Sequence, residues 1–254
     1  MTIPKTALVT GAAQRIGRVI AEDLAAAGWS VVVHYNRSAE AADTVVAGIE
    51  RAGGQAIALA ADFADEAQTR RLMARAIDRF GAIGCLVNNA SRFERDAIGD
   101  ATRASWDAHM EPNLRAPFVL SQDMAAALPG GRNGVIVNII DQRVWNLTPH
   151  FVSYTLSKTG LWTLTQTLAL ALAPKIRVNG IGPGPTLRNA RQSEAQFQRQ
   201  QNSVPLRRGP SSGEVARAVR FIIDSPSMTG QMIALDGGQH LGWAQPLQDG
   251  AADE

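Results

Sequence analysis

The chain has 254 residues, 45% hydrophobic and 19% charged, with a formal net charge of +2. That balance fits a soluble globular protein and excludes a disordered chain; the length allows one large domain over residues 1–254 or two small ones, and with no linker or composition break a single domain is expected. Scattered basic residues argue against a nucleic-acid partner, and the lack of a stretch of about 18 apolar residues or a signal-peptide core argues against a membrane partner, so a cytoplasmic protein is expected.

Short apolar runs alternate with longer amphipathic ones. Segments 7–10, 30–35, 55–60, 85–88, 135–140 and 176–180 predict strands, several apolar at consecutive positions as in strands buried on both faces. Helices are expected over 15–28, 39–51, 66–80, 105–128 and 153–173, the fourth broken or kinked by Pro112 and Pro117. Ser38 and Asp65 fit N-caps, and Gly28 and Gly81 fit helix stops. The alternation predicts an α/β fold: a single doubly wound parallel sheet, the Rossmann fold, with helices on both faces. Segment 182–210, rich in Pro, Gly, Gln and Arg, is expected to form a mobile loop or short helix over a site; its arginines suit either an acidic substrate or a solvated lid. A last strand is expected near 233–235, and a loosely ordered tail after about residue 244. The single cysteine, Cys85, lies in an apolar run and is expected to be buried and inert; no metal site is expected.

The first strand ends in Thr10-Gly11-Ala12-Ala13-Gln14-Arg15-Ile16-Gly17, and a helix follows. Gly11 permits a tight turn, Gly17 lets the helix approach the sheet, and the small alanines leave backbone N–H groups free to meet a pyrophosphate. After a strand and before a helix, this turn predicts dinucleotide binding. The second strand closes with His34-Tyr35-Asn36-Arg37-Ser38, which offers no carboxylate for a ribose 2′-hydroxyl. Arg37 and Ser38 suit a 2′-phosphate, so NADP(H) is the expected cofactor, unless Arg37 is only a solvated charge. Asp62, with Phe63 beside it, either accepts from the adenine amino group or caps the next helix. Asn88-Asn89-Ala90-Ser91 ends the fourth strand at the sheet edge where ligands collect.

Tyr154 and Lys158 stand four residues apart, on one face of a helix. A phenol of ordinary pKa about 10 gains acid/base competence at neutral pH when a cation stabilises its phenolate. His109 and His150 are expected on helix or loop surfaces. Trp145 and Trp243 either line the substrate opening or belong to core or interface.

Over about residues 4 to 243 the chain resembles the short-chain dehydrogenase/reductase family. The Thr-Gly turn, Asn88-Asn89-Ala90, Asn113, Tyr154 with Lys158, and Pro183-Gly184 fall in that family's order and spacing. The resemblance implies hydride transfer with Tyr154 as proton donor, Lys158 on the nicotinamide ribose, Asn113 supporting a water-linked proton relay, and a homotetramer. Three positions depart from the general pattern: Arg15 and Ser91 replace glycines, and Asp141 replaces the usual catalytic serine. These features, with Phe93 and the 34–38 segment, are similar to the pteridine reductases of the family.

The substitutions suit a pterin, a small-molecule substrate. Phe93 can stack on a flat heteroaromatic ring, or it is ordinary pocket wall. Arg15 can reach both pyrophosphate and a pterin carbonyl. Asp141 can orient the Tyr154 phenol and hand a proton to a ring nitrogen, with the raised pKa of a carboxylate in a cleft; alternatively it only binds backbone, or marks a lineage that has changed substrate. The expected activity is NADPH-dependent reduction of a dihydropterin. The alternatives are reduction of another carbonyl, such as a 3-oxoacyl thioester or small ketone, and a non-catalytic NADP(H)-binding module.

Overall fold

The computed structural model describes residues 2–189 and 191–242. Its strands are apolar at consecutive positions because both faces are covered. In β1 (Thr6–Val9), Ala7 and Val9 enter one core layer, while Leu8 enters the opposite one. In β5 (Gly134–Ile139), Val135 and Val137 face the first layer and Ile136 the second. Successive strand residues point to opposite faces, so such a strand needs apolar residues throughout.

With β2 (Ser30–Tyr35), β3 (Gln55–Ala60), β4 (Cys85–Asn88), β6 (Ile176–Pro183) and β7 (Met232–Leu235), these form one sheet in the order β3-β2-β1-β4-β5-β6-β7. Every neighbouring pair is parallel. The strand order reverses between β1 and β4, and a crevice opens there at the carboxyl ends of the strands.

One face is packed by α1 (Arg15–Ala26), α2 (Ala39–Arg51) and α8 (Ser212–Ile223). The other is packed by α3 (Glu66–Phe80), α5 (Ala116–Ala127) and α6 (Val152–Ala171). The helix expected over 105–128 is two: α4 (Arg103–Met110) and α5, joined by a π-helical turn over Glu111–Arg115 that absorbs Pro112. The sequence reading missed α8 entirely. Within 182–210 the structure contains α7 (Glu194–Asn202), started by a reciprocal Ser193–Gln196 cap.

Asp65 caps α3 through the Ala67 and Gln68 amides, whereas Ser38 stands at the start of α2 without a side-chain cap bond. Cys85 is fully buried, and burial pushes its thiol up to about 12. No described helix is long and apolar enough to cross a membrane. The expected tail and Trp243 lie outside the described residues.

Candidate active site

Of the catalytic and cofactor-binding residues expected at the site, Asn113 lies outside and the others line one cleft of about 1050 Å³ at the crevice. Its floor is the turn after β1. Gly11 adopts φ +62°, and a Cβ on Gly17 would lie 2.3 Å from the Gly11 carbonyl oxygen and 2.4 Å from Asn89 Nδ2. Only a glycine at position 17 allows α1 to start so close to the strand. Asn89 pins the turn by donating to the Thr10 and Gly11 carbonyls.

His34 works from beneath. Its Nδ1 accepts from the Gly11 N–H at 3.0 Å, and Nε2–H donates to Ala61 O at 3.1 Å. Its ring stacks on Phe63 with centroids 4.3 Å apart. Burial lowers its pKa to about 4, so it is neutral. Asp62 is an Asx turn, not a helix cap: Oδ1 accepts from Ala64 N and from Asn36 Nδ2. Arg37 is exposed on the cleft, and no hydrogen bond or ion pair engages its side chain among the described residues.

Arg15 lines the cleft and also ties it to the loop. Its backbone lies at φ +54°, in the left-handed region that suits glycine. Its guanidinium donates to Leu187 O and Arg188 O at 3.1 and 2.9 Å, which ties the phosphate-type turn to the 182–210 segment. A second tie comes from Arg191, which donates to Phe93 O at 2.7 Å and pairs with Glu94. Arg188 pairs with Glu194 and donates to Gln192 O within the loop, and Arg208 pairs with Glu214. Several of the arginines expected to be solvated or substrate-binding therefore hold the loop together.

The chemistry-bearing groups meet on α6 and at the end of β5. Tyr154 donates its hydroxyl to Asp141 Oδ2 at 2.6 Å. Asp141 Oδ1 accepts from Arg143 N at 2.8 Å, so the carboxylate binds backbone and phenol together. Lys158 is buried, donates to Ile139 O at 2.9 Å, and lies 5.9 Å from the Tyr154 ring centre. Burial lowers its pKa to about 8, against the upward pull of Asp141. Phe93 lies over this pair, stacked on Phe151 at 4.6 Å and edge-on to Tyr154 at 4.6 Å.

Asn113 lies behind the cleft wall. Its Oδ1 accepts from Arg92 N, and its Nδ2 faces Arg92 O and Ser157 Oγ. Ser157 in turn donates to Tyr154 O at 2.7 Å, so the π turn, the Arg92 backbone and α6 are linked. His109 contradicts the surface assignment: it is fully buried and edge-on to Tyr154. His150 is half-buried. Trp145 does not line the cleft but packs against Trp162 and His240. The sequence reading also missed Ser105, which joins Asp96 to the start of α4, and Phe151 and Asp96, which meet Phe93 and Ser153 from distant parts of the chain.

A seven-stranded parallel sheet with a glycine turn and a Tyr154–Lys158 pair beside a polar residue after β5 is the arrangement of a short-chain oxidoreductase; here that polar residue is Asp141. The chain belongs to the short chain dehydrogenase family, whose model matches residues 5–199. It is similar to the FolM alternative dihydrofolate reductase 1 of Brucella canis in complex with NADP, with 51% identity and a TM-score of 0.92 over 95% of this chain and 96% of that one. The Brucella suis FolM alternative dihydrofolate reductase 1, also in complex with NADP, is 50% identical with a TM-score of 0.92 over 95% and 97% of the two chains. A 3-oxoacyl-[acyl-carrier-protein] reductase from Synechocystis sp. is 33% identical over 241 residues, 92% of this chain and 96% of the relative.

Proposed function

We propose that the protein is an NADPH-dependent reductase of dihydropterins. The observation that carries this is the 2.6 Å contact between Tyr154 and Asp141 beneath Phe93. Asp141 turns a carboxylate toward the proton-donating phenol, and a ring nitrogen is the acceptor such a pair serves best. The two Brucella proteins, named as alternative dihydrofolate reductases, support the same reading. The Synechocystis 3-oxoacyl reductase favours the rival, a carbonyl substrate, at lower identity.

The cleft suits NADP(H): the turn leaves no room for a Cβ at Gly17, and Arg37 and Ser38 line the cleft in a segment, 34–38, that carries no carboxylate of its own. Gly11, Ile16, Asn89, Ala90, Pro183 and Gly184 would shape the remaining nucleotide surface, with Asp62 at the adenine. When bound, the nicotinamide supplies the hydride that reduces the C=N carbon. Tyr154 and Asp141 supply the proton for the nitrogen, and Lys158 holds positive charge under the phenol. Phe93 and Ser91 flank the flat ring. Arg15, now on the loop carbonyls, would reach pyrophosphate and pterin from the same place. Asn113 would support the relay through Ser157 and the α6 backbone, and residues 182–210 would close the site.

We also propose a homotetramer built on α6 and its neighbours, where Trp106, Leu156 and Leu170 are exposed, working as one domain in the cytoplasm, as the single buried cysteine suits. NADPH consumption with 7,8-dihydropterins, set against 3-oxoacyl thioesters and small ketones, tests the function. Turnover of the carbonyl compounds with none of any pterin would overturn it.

A further inference from the structure

The loop between β4 and α4 carries Asp96, a buried carboxylate outside the cleft wall. Helix α6 starts without a cap of its own. Its N-cap residue, Phe151, offers no side-chain acceptor and lies in the left-handed region, at φ +61° and ψ 44°, where a bulky residue is strained. The first amides of the helix still need acceptors.

Asp96 provides them from another part of the chain. Its carbonyl oxygen accepts from Phe151 N at 2.7 Å and from Val152 N at 3.4 Å. Its Oδ1 accepts from Ser153 N at 3.1 Å, and its Oδ2 accepts from Ser105 Oγ at 3.1 Å. Ser105 is the capping-box residue of α4, so one carboxylate joins the starts of two helices. His109 makes a second link: Nε2 accepts from Glu94 N at 3.0 Å, and Nδ1–H donates to Ser105 O at 2.8 Å. Burial pushes the Asp96 carboxyl up, but hydrogen bonds from Ser153 and Ser105 outweigh it and hold it below the ordinary value. A carboxylate at a helix N-terminus is also favoured by the aligned amide dipoles.

We propose that Asp96 is a positioning residue: by capping α6 from outside its own segment, it fixes Tyr154 against Asp141 and Phe93. Tyr154 is the third residue of α6, inside the turn that frays first when a cap is lost. Lys158 lies one turn deeper and is held separately by Ile139 O. Phe93, three residues before Asp96, stacks on the capped Phe151. Loss of the cap therefore disturbs the proton donor and the stacking residue while leaving the nucleotide side of the cleft in place.

The inference rests on Tyr154 being the proton donor, and its test separates the two. The full chain contains two tyrosines, so protein labelled with ¹³C at the tyrosine Cζ alone shows two tyrosine signals, assigned with Tyr154→Phe. In Asp96→Ala the Tyr154 signal moves or broadens. With NADPH and 7,8-dihydropterin, kcat falls roughly tenfold or more, while the Kd for NADPH stays within about twofold. Asp96→Asn, which keeps an acceptor for Ser153 N, recovers the signal and most of kcat. A folded Asp96→Ala protein with an unmoved Tyr154 signal and wild-type kcat would overturn the proposal, as would equal losses in kcat and NADPH affinity. If the alanine protein does not fold, Ser105→Ala takes its place, with a smaller shift of the same signal expected and an unmoved signal counting against the idea. A wild-type protein inactive on dihydropterins would sink the proposed function, and the tyrosine signals would still decide the role of Asp96.

Discussion

The Tyr154 hydroxyl donates to Asp141 Oδ2 across 2.6 Å, and Asp141 is held by the Arg143 amide on its other oxygen. A serine at position 141 would offer the phenol a neutral partner with one oxygen. The carboxylate instead gives two acceptors, one spent on backbone and one aimed at the reacting group, and so fixes where the phenol points.

Removal of the phenol oxygen in Tyr154→Phe should lower kcat by about 10²- to 10⁴-fold while leaving NADPH binding intact. Asp141→Ser should lower dihydropterin turnover more than NADPH affinity. Single-turnover NADPH oxidation beside a fluorescence titration of NADPH separates these effects. Equal losses in both would remove Asp141 from the chemistry.

The pH profile should carry the signature of Lys158. Its folded-state pKa is lowered from 10.5 to about 8 by burial, so it is charged at neutral pH and loses the proton as pH rises through about 8. Activity should therefore decline on the alkaline side near that value. Because the folded state gives up this proton before the unfolded one, the same titration makes folding more favourable between about 8 and 10.5. A kcat profile flat through pH 9, about one pKa unit above that value, would contradict this role.

Cofactor choice should follow Arg37. Arg37→Ala removes a charge-assisted contact worth about 1.5–3 kcal/mol, so NADPH affinity should fall by roughly ten- to a hundredfold with NADH affinity little changed. Parallel titrations of the two nucleotides measure the ratio. Loss of both to the same degree would show that Arg37 acts on the fold rather than on the 2′-phosphate.

His34 should make the protein acid-labile. The unfolded chain takes up a proton below pH 6.5, whereas burial holds the folded imidazole neutral down to about 4. Stability is present above 6.5 and is lost as pH falls toward 4, by about 3 kcal/mol in all. Urea midpoints measured across that range should fall with pH, and His34→Gln should flatten the slope.

Much of this was legible in the sequence because its signals are local. Apolar runs marked the strands, Gly11 and Gly17 marked the turn, and a four-residue spacing placed Tyr154 and Lys158 on one helix face. Helix α8, which the sequence reading missed, also carries a local signal: Ser211 and Glu214 form a capping box, followed by Val215, Ala216, Val219 and Ile222 on one buried face. What stayed hidden depends on distant partners. His109 resembles a surface histidine until α6 packs Tyr154 against its ring. Asp96 meets Ser153 across 57 residues, and Arg15 meets Leu187 across 172, distances at which no spacing rule operates.

The central claim is hydride delivery to a pterin rather than to a carbonyl, and a competition measures it directly. With NADPH deuterated at the transferred position, 7,8-dihydropterin and a 3-oxoacyl thioester in one mixture, mass spectrometry shows which product carries the label. The deuterium is predicted in the tetrahydropterin, in wild-type protein and not in Tyr154→Phe. Label in the 3-hydroxyacyl product alone would contradict the account.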